Sequence, residues 1–168
     1  MRKIVLEPLS AEAFAPFGHF HSMLDPKGYA LTGELHAFYP DRIRDAYTGH
    51  VGFSAITVRK PQRMIVDAIE YHTTTSEIIL PLNDDMILHV APASAGVPVP
   101  DLTRAFLVPK GTMVQMNAAI WHLAPLPARE KELHALIVLP ECTYANDCTV
   151  VGLDESQRFE IVDESSLA

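Results

Sequence analysis

From residue 51 onward the chain is a succession of short runs rich in strand-forming residues, each broken by turn-forming residues. This feature most limits what it can fold into. The runs are Val51–Val58, Met64–Tyr71, Glu77–Leu82, Met86–Val90, Arg104–Val108, Thr112–Met116, Ala119–Leu123, Leu133–Leu139 and Cys148–Leu153. Between them lie Lys60-Pro61, Asn83-Asp84-Asp85, a stretch from Pro92 to Pro100, Pro109-Lys110-Gly111, Pro125 to Arg129, and Pro140. Strands of four to eight residues closed by Pro, Gly, Asn and Asp are the pattern of a sandwich or barrel. No amphipathic helix long enough for a βαβ crossover stands among them, which argues against a parallel α/β sheet. A further strand is expected at Arg158–Val162.

The first fifty residues read differently. Ser10 before Ala11-Glu12-Ala13-Phe14 is a helix start, with a side-chain oxygen to cap the free N–H groups and good helix formers behind it. Pro16 and Gly18 close that helix. Residues 18–50 carry Pro26, Gly28, Gly33, Pro40 and Gly49 and read as loop with short strands at most. The expected organisation is one domain over 1–168: an N-terminal helix and loops over 1–50, barrel strands over 51–162 and a tail over 163–168. The chain shows no repeat of fixed period.

Charge removes one class of partner. Thirteen Lys and Arg stand against 21 Asp and Glu, for a formal charge of −8. Binding a nucleic-acid backbone needs a basic stripe, and the densest basic stretch is only Arg59-Lys60-Pro61-Gln62-Arg63. The two cysteines, Cys142 and Cys148, match neither a zinc ribbon nor a Cys-x-x-Cys pair, so free thiols and a reducing, cytoplasmic setting are expected. The charged N-terminus has no long apolar core, and no apolar run reaches the roughly 18 residues of a membrane span. Neither a signal peptide nor a membrane partner is expected.

The chemistry concentrates in Glu70-Tyr71-His72-Thr73-Thr74-Thr75-Ser76-Glu77. On a strand, Glu70 and His72 point to the same face. A short turn then lets Glu77, at the start of the next strand, return beside the imidazole. A second group follows Pro109-Lys110-Gly111, where Asn117 and Trp121-His122 stand.

These stretches resemble the two motifs of the cupin superfamily. The first has the form His-x-His-x4-Glu-x6-Gly and here runs Glu70-x-His72-x4-Glu77-x6-Asp84. The second, Pro-x-Gly-x2-His-x3-Asn, keeps Pro109-x-Gly111 but has Val114 at its His, with His122 further on. Imidazole and carboxylate donors together suit Zn, Mn, Fe or Ni.

A wider resemblance is to the ureidoglycolate lyase family, also called ureidoglycolate hydrolase. It is carried by Leu9-Ser10-x-Glu12-Ala13-Phe14-x-x-Phe17-Gly18, Ile56 to Pro61 with Arg59, Glu70-x-His72 and Leu80-Pro81. Asp101-Leu102-x-Arg104-Ala105-Phe106, Gly111, Trp121-His122 with Pro125-Leu126, and Asn146-Asp147-Cys148 continue it. The chain departs from the family pattern at Glu77, usually Gln, at Leu123, usually a second His, and at Asn117, usually His.

The resemblance implies an all-β, cupin-like double-stranded β-helix barrel with a short N-terminal helix. It also implies cleavage of (S)-ureidoglycolate to glyoxylate and urea, in allantoin and purine nitrogen recovery. That substrate is a small carboxylate bearing a hydroxyl and a ureido group on one carbon. Its cleavage needs a base at the hydroxyl, an acid at the leaving nitrogen and an anchor for the carboxylate. His72, Glu70 and His122 are the catalytic candidates. Glu70, His72, Glu77 and His122 are the candidate ligands of a divalent metal, with Ni, Mn or Zn in view. Arg59, Arg104, Trp121 and Asn117 are the candidate substrate contacts, an arginine offering a bidentate grip on the carboxylate. Small cupins commonly pair, so a homodimer is expected. The remaining alternatives are another metal-dependent cupin enzyme on a hydroxy acid or sugar, and a non-catalytic cupin that binds a small ligand. His89 and His134 read as core or interface residues, and His19, His21, His36 and His50 as surface residues.

Overall fold

The computed structural model describes residues 1–163. The expected tail at 163–168 therefore lies, from residue 164 on, outside the described residues. In chain order the strands are β1 (Arg2–Pro8), β2 (Gly18–Ser22), β3 (Leu31–Thr32), β4 (Ala37–Phe38), β5 (Val51–Arg59), β6 (Ile65–Val66), β7 (Ala68–Tyr71), β8 (Glu77–Pro81), β9 (Met86–Val90), β10 (Arg104–Val108), β11 (Thr112–Met116), β12 (Leu126–Pro127), β13 (Glu132–Pro140), β14 (Thr149–Gly152) and β15 (Phe159–Val162). Two helices of four residues complete them, α1 (Ala11–Phe14) and α2 (Thr143–Asn146), with one 3-10 turn at Pro100–Leu102. At α1 the Ser10 hydroxyl accepts a hydrogen bond from the Ala13 N–H at 3.2 Å, the cap its sequence calls for. Among the described residues, no helix is long and apolar enough to cross a membrane.

Two curled sheets form the barrel. The larger runs β12-β9-β10-β1-β15-β6 and the smaller β2-β11-β8-β13-β5. This is the all-β, cupin-like form with a short N-terminal helix expected above. Between the sheets lies the main core, which includes Phe14, Phe17, Ile79, Leu88, Phe106, Val114 and Ile137. Phe14 packs edge-on to Phe106 with ring centroids 5.4 Å apart, so α1 sends its one buried residue into this core. A second core, with Ile69, Ile87, Ala105, Trp121, Phe159 and Ile161, fills the other face of the larger sheet.

β9 is buried along its whole length because it stands between the two cores. Met86, Leu88 and Val90 enter the first, and Ile87 and His89 face the other way. This is why its sequence is a continuous apolar run rather than an alternating one. His89 is a core residue, as expected: its ring stands edge-on to Phe159 at 5.6 Å, and burial drives its pKa down to about 3, so it is neutral.

The N-terminal fifty residues depart from their expected reading as helix and loops. β1 pairs in parallel with both β10 and β15 and sits inside the larger sheet. β2 forms one edge of the smaller sheet against β11. The polar residues Arg2, Lys3 and Glu7 conceal β1, whose partners lie about a hundred or more residues away. β2 starts at Gly18 because the backbones come so close there: a Cβ would stand 1.9 Å from the Gln115 carbonyl oxygen. The expected run Ala119–Leu123 is not a strand. It touches its neighbours through two single bridges, Trp121 with Ala91 and His122 with Glu70.

Candidate active site

Four side chains from three segments meet at one end of the barrel. β7 carries Glu70, and His72 stands just past its end. The chain then turns through Thr73–Ser76 into β8, whose first residue is Glu77. Glu77 lies opposite Met116 in the sheet register, which aims its side chain inward like that of Met116. The segment before His122 docks on β7: the Ala119 N–H donates to the His72 carbonyl at 2.6 Å, and Glu70 and His122 exchange backbone hydrogen bonds at 2.7 and 2.9 Å. This pairing sets the second sequence group against the first.

The geometry is that of two imidazoles sharing one carboxylate. Glu77 Oε2 lies 3.0 Å from His72 Nε2 and 3.1 Å from His122 Nε2. Each imidazole is held from behind. His72 Nδ1–H donates to the Asp147 carbonyl at 2.7 Å, and His122 Nδ1–H to the Ile120 carbonyl at 2.9 Å. With Nδ1 fixed as a donor, Nε2 of both rings must face the shared space. Glu70 Oε1 stands 3.9 Å from His122 Nε2. His72, His122 and Glu77 are 2, 3 and 5% exposed. Glu70 is half-buried and marks the open side.

Burial opposes every charge here, and the partners overcome it. Burial weighs most on Glu77 and would raise its pKa, but the charges and hydrogen bonds of His122 and His72 hold it down at about 2. Burial likewise weighs most on both imidazoles and would lower their pKa values. Glu77, with the Asp147 carbonyl for His72 and the Ile120 carbonyl for His122, leaves both raised. Glu77 is thus ionised, and the two rings beside it are stabilised as imidazolium.

One donor atom from each of Glu70, His72 and His122 lies within 4.8 Å of the others. These residues fit a divalent cation by their chemistry: two Nε2 atoms whose rings are pinned through Nδ1–H to carbonyls, and a carboxylate. Glu77, also expected as a ligand, lies beside the two Nε2 atoms, at 3.0 and 3.1 Å.

The segment 142–148 closes over this cluster, and the sequence reading missed its part. Besides the carbonyl that holds His72, Asp147 uses its carboxylate to accept from the Thr73 and Thr74 N–H groups, both at 2.8 Å, and from the Thr74 hydroxyl at 2.6 Å. It therefore sets the turn between His72 and Glu77. The Cys148 thiol donates to Glu70 Oε2 at 3.4 Å, and burial, then Glu70, pushes its pKa up to about 11. Tyr144 on α2 stands edge-on to His72, ring centroids 6.2 Å apart. The one signal for this segment was the family-like Asn146-Asp147-Cys148.

The four expected substrate contacts lie elsewhere. Arg59, at the end of the edge strand β5, pairs with Glu132 directly across on β13 at 3.3 Å, and its side chain is 88% exposed. It borders a surface cleft of about 890 Å³, with Lys60, Arg129 and Lys131, that includes none of the four clustered residues. Arg104 is held by Glu7 of the neighbouring β1, by the Ala13 carbonyl at 2.9 Å and over the Phe106 ring at 5.0 Å. Trp121 points away from His122, as adjacent residues on extended chain do. It packs on Tyr71 in the second core, with its indole N–H on the Ser94 hydroxyl at 2.8 Å. Asn117 is an exposed turn residue whose backbone N–H donates to the Phe17 carbonyl.

The family model for ureidoglycolate lyase matches residues 1–160. Among curated relatives, the ureidoglycolate lyase of Rhodobacter capsulatus is 34% identical over 134 residues, covering 76% of this chain and 82% of that protein. That of Pseudomonas syringae pv. syringae is 27% identical over 163 residues, covering 94% of each. Solved structures similar to the chain include oxalate decarboxylase of Bacillus subtilis, with 18% identity, 62% of this chain and 24% of that one covered, and a TM-score of 0.44. Another is a dTDP sugar isomerase from Desulfovibrio desulfuricans G20, with 10% identity, 84% and 89% coverage and a TM-score of 0.49. Matched over nearly its whole length, the chain belongs to the ureidoglycolate lyase family.

Proposed function

We propose that this chain is a lyase that splits (S)-ureidoglycolate into glyoxylate and urea. The observation that carries this reading is the convergence of His72, His122, Glu70 and Glu77 on one buried point, in a chain whose relatives bear that name. In the reaction the hydroxyl loses a proton as the carbonyl forms, the carbon–nitrogen bond breaks, and the departing nitrogen gains a proton. The balance is zero, so a centre that takes a proton at one atom and returns it at another suffices. His72 and His122 flank Glu77 at 3.0 and 3.1 Å, so a proton accepted at one Nε2 is matched by one released from the other, with Glu77 holding the charge between them. Glu70, on the open side, orients the hydroxyl.

A divalent cation held by Glu70, His72 and His122 would supply Lewis-acid polarisation of the forming carbonyl and lower the pKa of the hydroxyl. Glyoxylate release, followed with a coupled dehydrogenase with and without added Ni or Mn, tests the assignment. It is refuted if wild-type protein yields no glyoxylate above the spontaneous rate. His72→Ala should lower turnover at least a hundredfold.

The reading places the protein in the cytoplasm, in nitrogen recovery from allantoin. It also includes a homodimer. β5 is an edge strand of nine residues with Val51 39% and Phe53 73% exposed, and an edge of this kind is readily covered by a second copy. A monomer by light scattering would contradict the dimer.

A further inference from the structure

The expected anchors for a substrate carboxylate, Arg59 and Arg104, are committed to Glu132 and Glu7. A negatively charged protein still needs a local feature to hold that group, and the segment 142–148 supplies one at the open side of the cluster. Three independent links fasten this segment to the site: the Asp147 carbonyl on His72, the Asp147 carboxylate on Thr73 and Thr74, and the Cys148 thiol on Glu70. Its short helix α2 follows Cys142, whose backbone takes the left-handed conformation at φ 62°. These constraints hold Tyr144 in place although the residue itself is 58% exposed. Its ring stands edge-on to His72 at 6.2 Å. Its hydroxyl has no hydrogen-bond partner among the described residues, and after burial the groups acting most on it are Glu77, Glu70 and Cys148. A large aromatic left mostly in solvent by a well-anchored segment, its ring beside a buried imidazole and its donor unused, is an unfilled contact.

We infer that Tyr144 is a substrate-binding residue of this site, its ring forming one wall of the entrance beside His72 and its hydroxyl donating a hydrogen bond to a carboxylate oxygen of a small 2-hydroxy acid. This rests on the reading of the site as the place where ureidoglycolate is split, and it adds the residue that admits the substrate. A phenol is a neutral donor, so it grips the carboxylate without a formal charge that would tie it to Glu70 or Glu77. The ring also limits the width of the entrance and so favours a compact acid over a bulkier one.

Tyr144→Phe isolates the hydroxyl, since it keeps the ring on His72 and leaves Asp147 and Cys148 untouched. The expected result is a roughly tenfold lower kcat/KM for ureidoglycolate, carried mainly by KM, with the melting temperature and the amount of bound metal unchanged. A second readout does not depend on turnover. In titration calorimetry with glycolate, Tyr144→Phe should raise the Kd by about tenfold. Tyr144→Ala, which removes the wall as well, should in addition narrow the preference for glycolate over the bulkier mandelate. Kinetics and glycolate binding within twofold of wild type in Tyr144→Phe overturn the inference. If wild-type protein binds glycolate and the variant binds it tenfold more weakly while neither makes glyoxylate, the lyase reading fails and the role of Tyr144 stands. A wild type that neither cleaves ureidoglycolate nor binds glycolate overturns both.

Discussion

Glu77→Gln isolates the electrostatics of the site. The substitution keeps the shape of the side chain and lets the amide N–H groups donate to the bare Nε2 atoms of two neutral imidazoles, whose Nδ1–H groups remain on the Asp147 and Ile120 carbonyls. What it removes is the negative charge lying 3.0 and 3.1 Å from the two rings. Holding the Glu77 carboxyl at about 2 rather than 4.5 corresponds to roughly 3 kcal/mol, at about 1.36 kcal/mol per factor of ten in proton affinity. Breaking a buried pair costs a similar amount. The sign depends on pH. Glu77 has a depressed folded pKa, so its contribution is present above 4.5 and is lost as pH falls toward 2. His72 and His122 have raised folded values, so their contribution is present below 6.5 and is lost as pH rises through those values. Metal-free protein should therefore be most stable between about pH 4.5 and 6.5. In urea unfolding with a chelator present, Glu77→Gln should cost about 3 kcal/mol at pH 5.5 and less at pH 9, as the imidazoles lose their protons with rising pH. Equal losses at the two pH values, or a loss below about 0.5 kcal/mol at pH 5.5, would refute the charge-sharing account.

Further outcomes follow from the same geometry. Added Ni, Mn or Zn should raise the melting temperature of wild-type protein, with about 2.7 kcal/mol at a hundredfold excess over Kd; His122→Ala and Glu70→Ala should abolish that gain in a thermal-shift assay. Asp147→Ala removes three hydrogen bonds from the Thr73–Thr74 turn; it should lower kcat more than it raises KM, and an unchanged kcat would show that the turn holds without it. Arg104→Ala should cost about 1 kcal/mol in chemical denaturation, as expected of a partly exposed ion pair, and leave the KM for ureidoglycolate within twofold. A large rise in KM would return Arg104 to the substrate.

Much of the architecture was legible because it depends on local pattern. The alternation in Leu133–Leu139, with Leu133, Ala135 and Ile137 buried and His134 exposed, marks a strand with one face in the core. The breaks at Pro61, Asn83–Asp85 and Pro109–Gly111 set strand ends through φ restrictions and turn chemistry. Ser10 announced α1 by its hydroxyl, with the helix formers Ala11, Glu12 and Ala13 behind it. β1 was not legible, since a strand that pairs in parallel with β10 and β15 is chosen by partners far along the chain. Its local sequence reads as a charged N-terminus. The run 119–123 erred the other way: its residues favour strand, but no neighbouring backbone lies alongside for more than a bridge.

The candidate site divides similarly. Glu70, His72 and Glu77 were readable together because two-residue spacing and a short hairpin are local geometry. His122 was readable as a chemically suited residue, and only the backbone exchange between Glu70 and His122 brought it to the others. Arg59 and Arg104 suited a carboxylate by their chemistry, but each found an acid on the adjacent strand, a cross-strand pairing that sheet register decides and sequence does not display. Tyr144, Asp147 and Cys148 lie some 70 residues from the hairpin they clamp, in a stretch with no periodicity. By itself, then, the sequence determined that the chain is a β-barrel with imidazole and carboxylate at a hairpin, because side-chain alternation and turn residues act over a few positions. Only the tertiary structure decided which charges share a buried space, which are neutralised on the surface, and which segment closes the entrance, because those outcomes depend on register and packing between residues far apart in the chain.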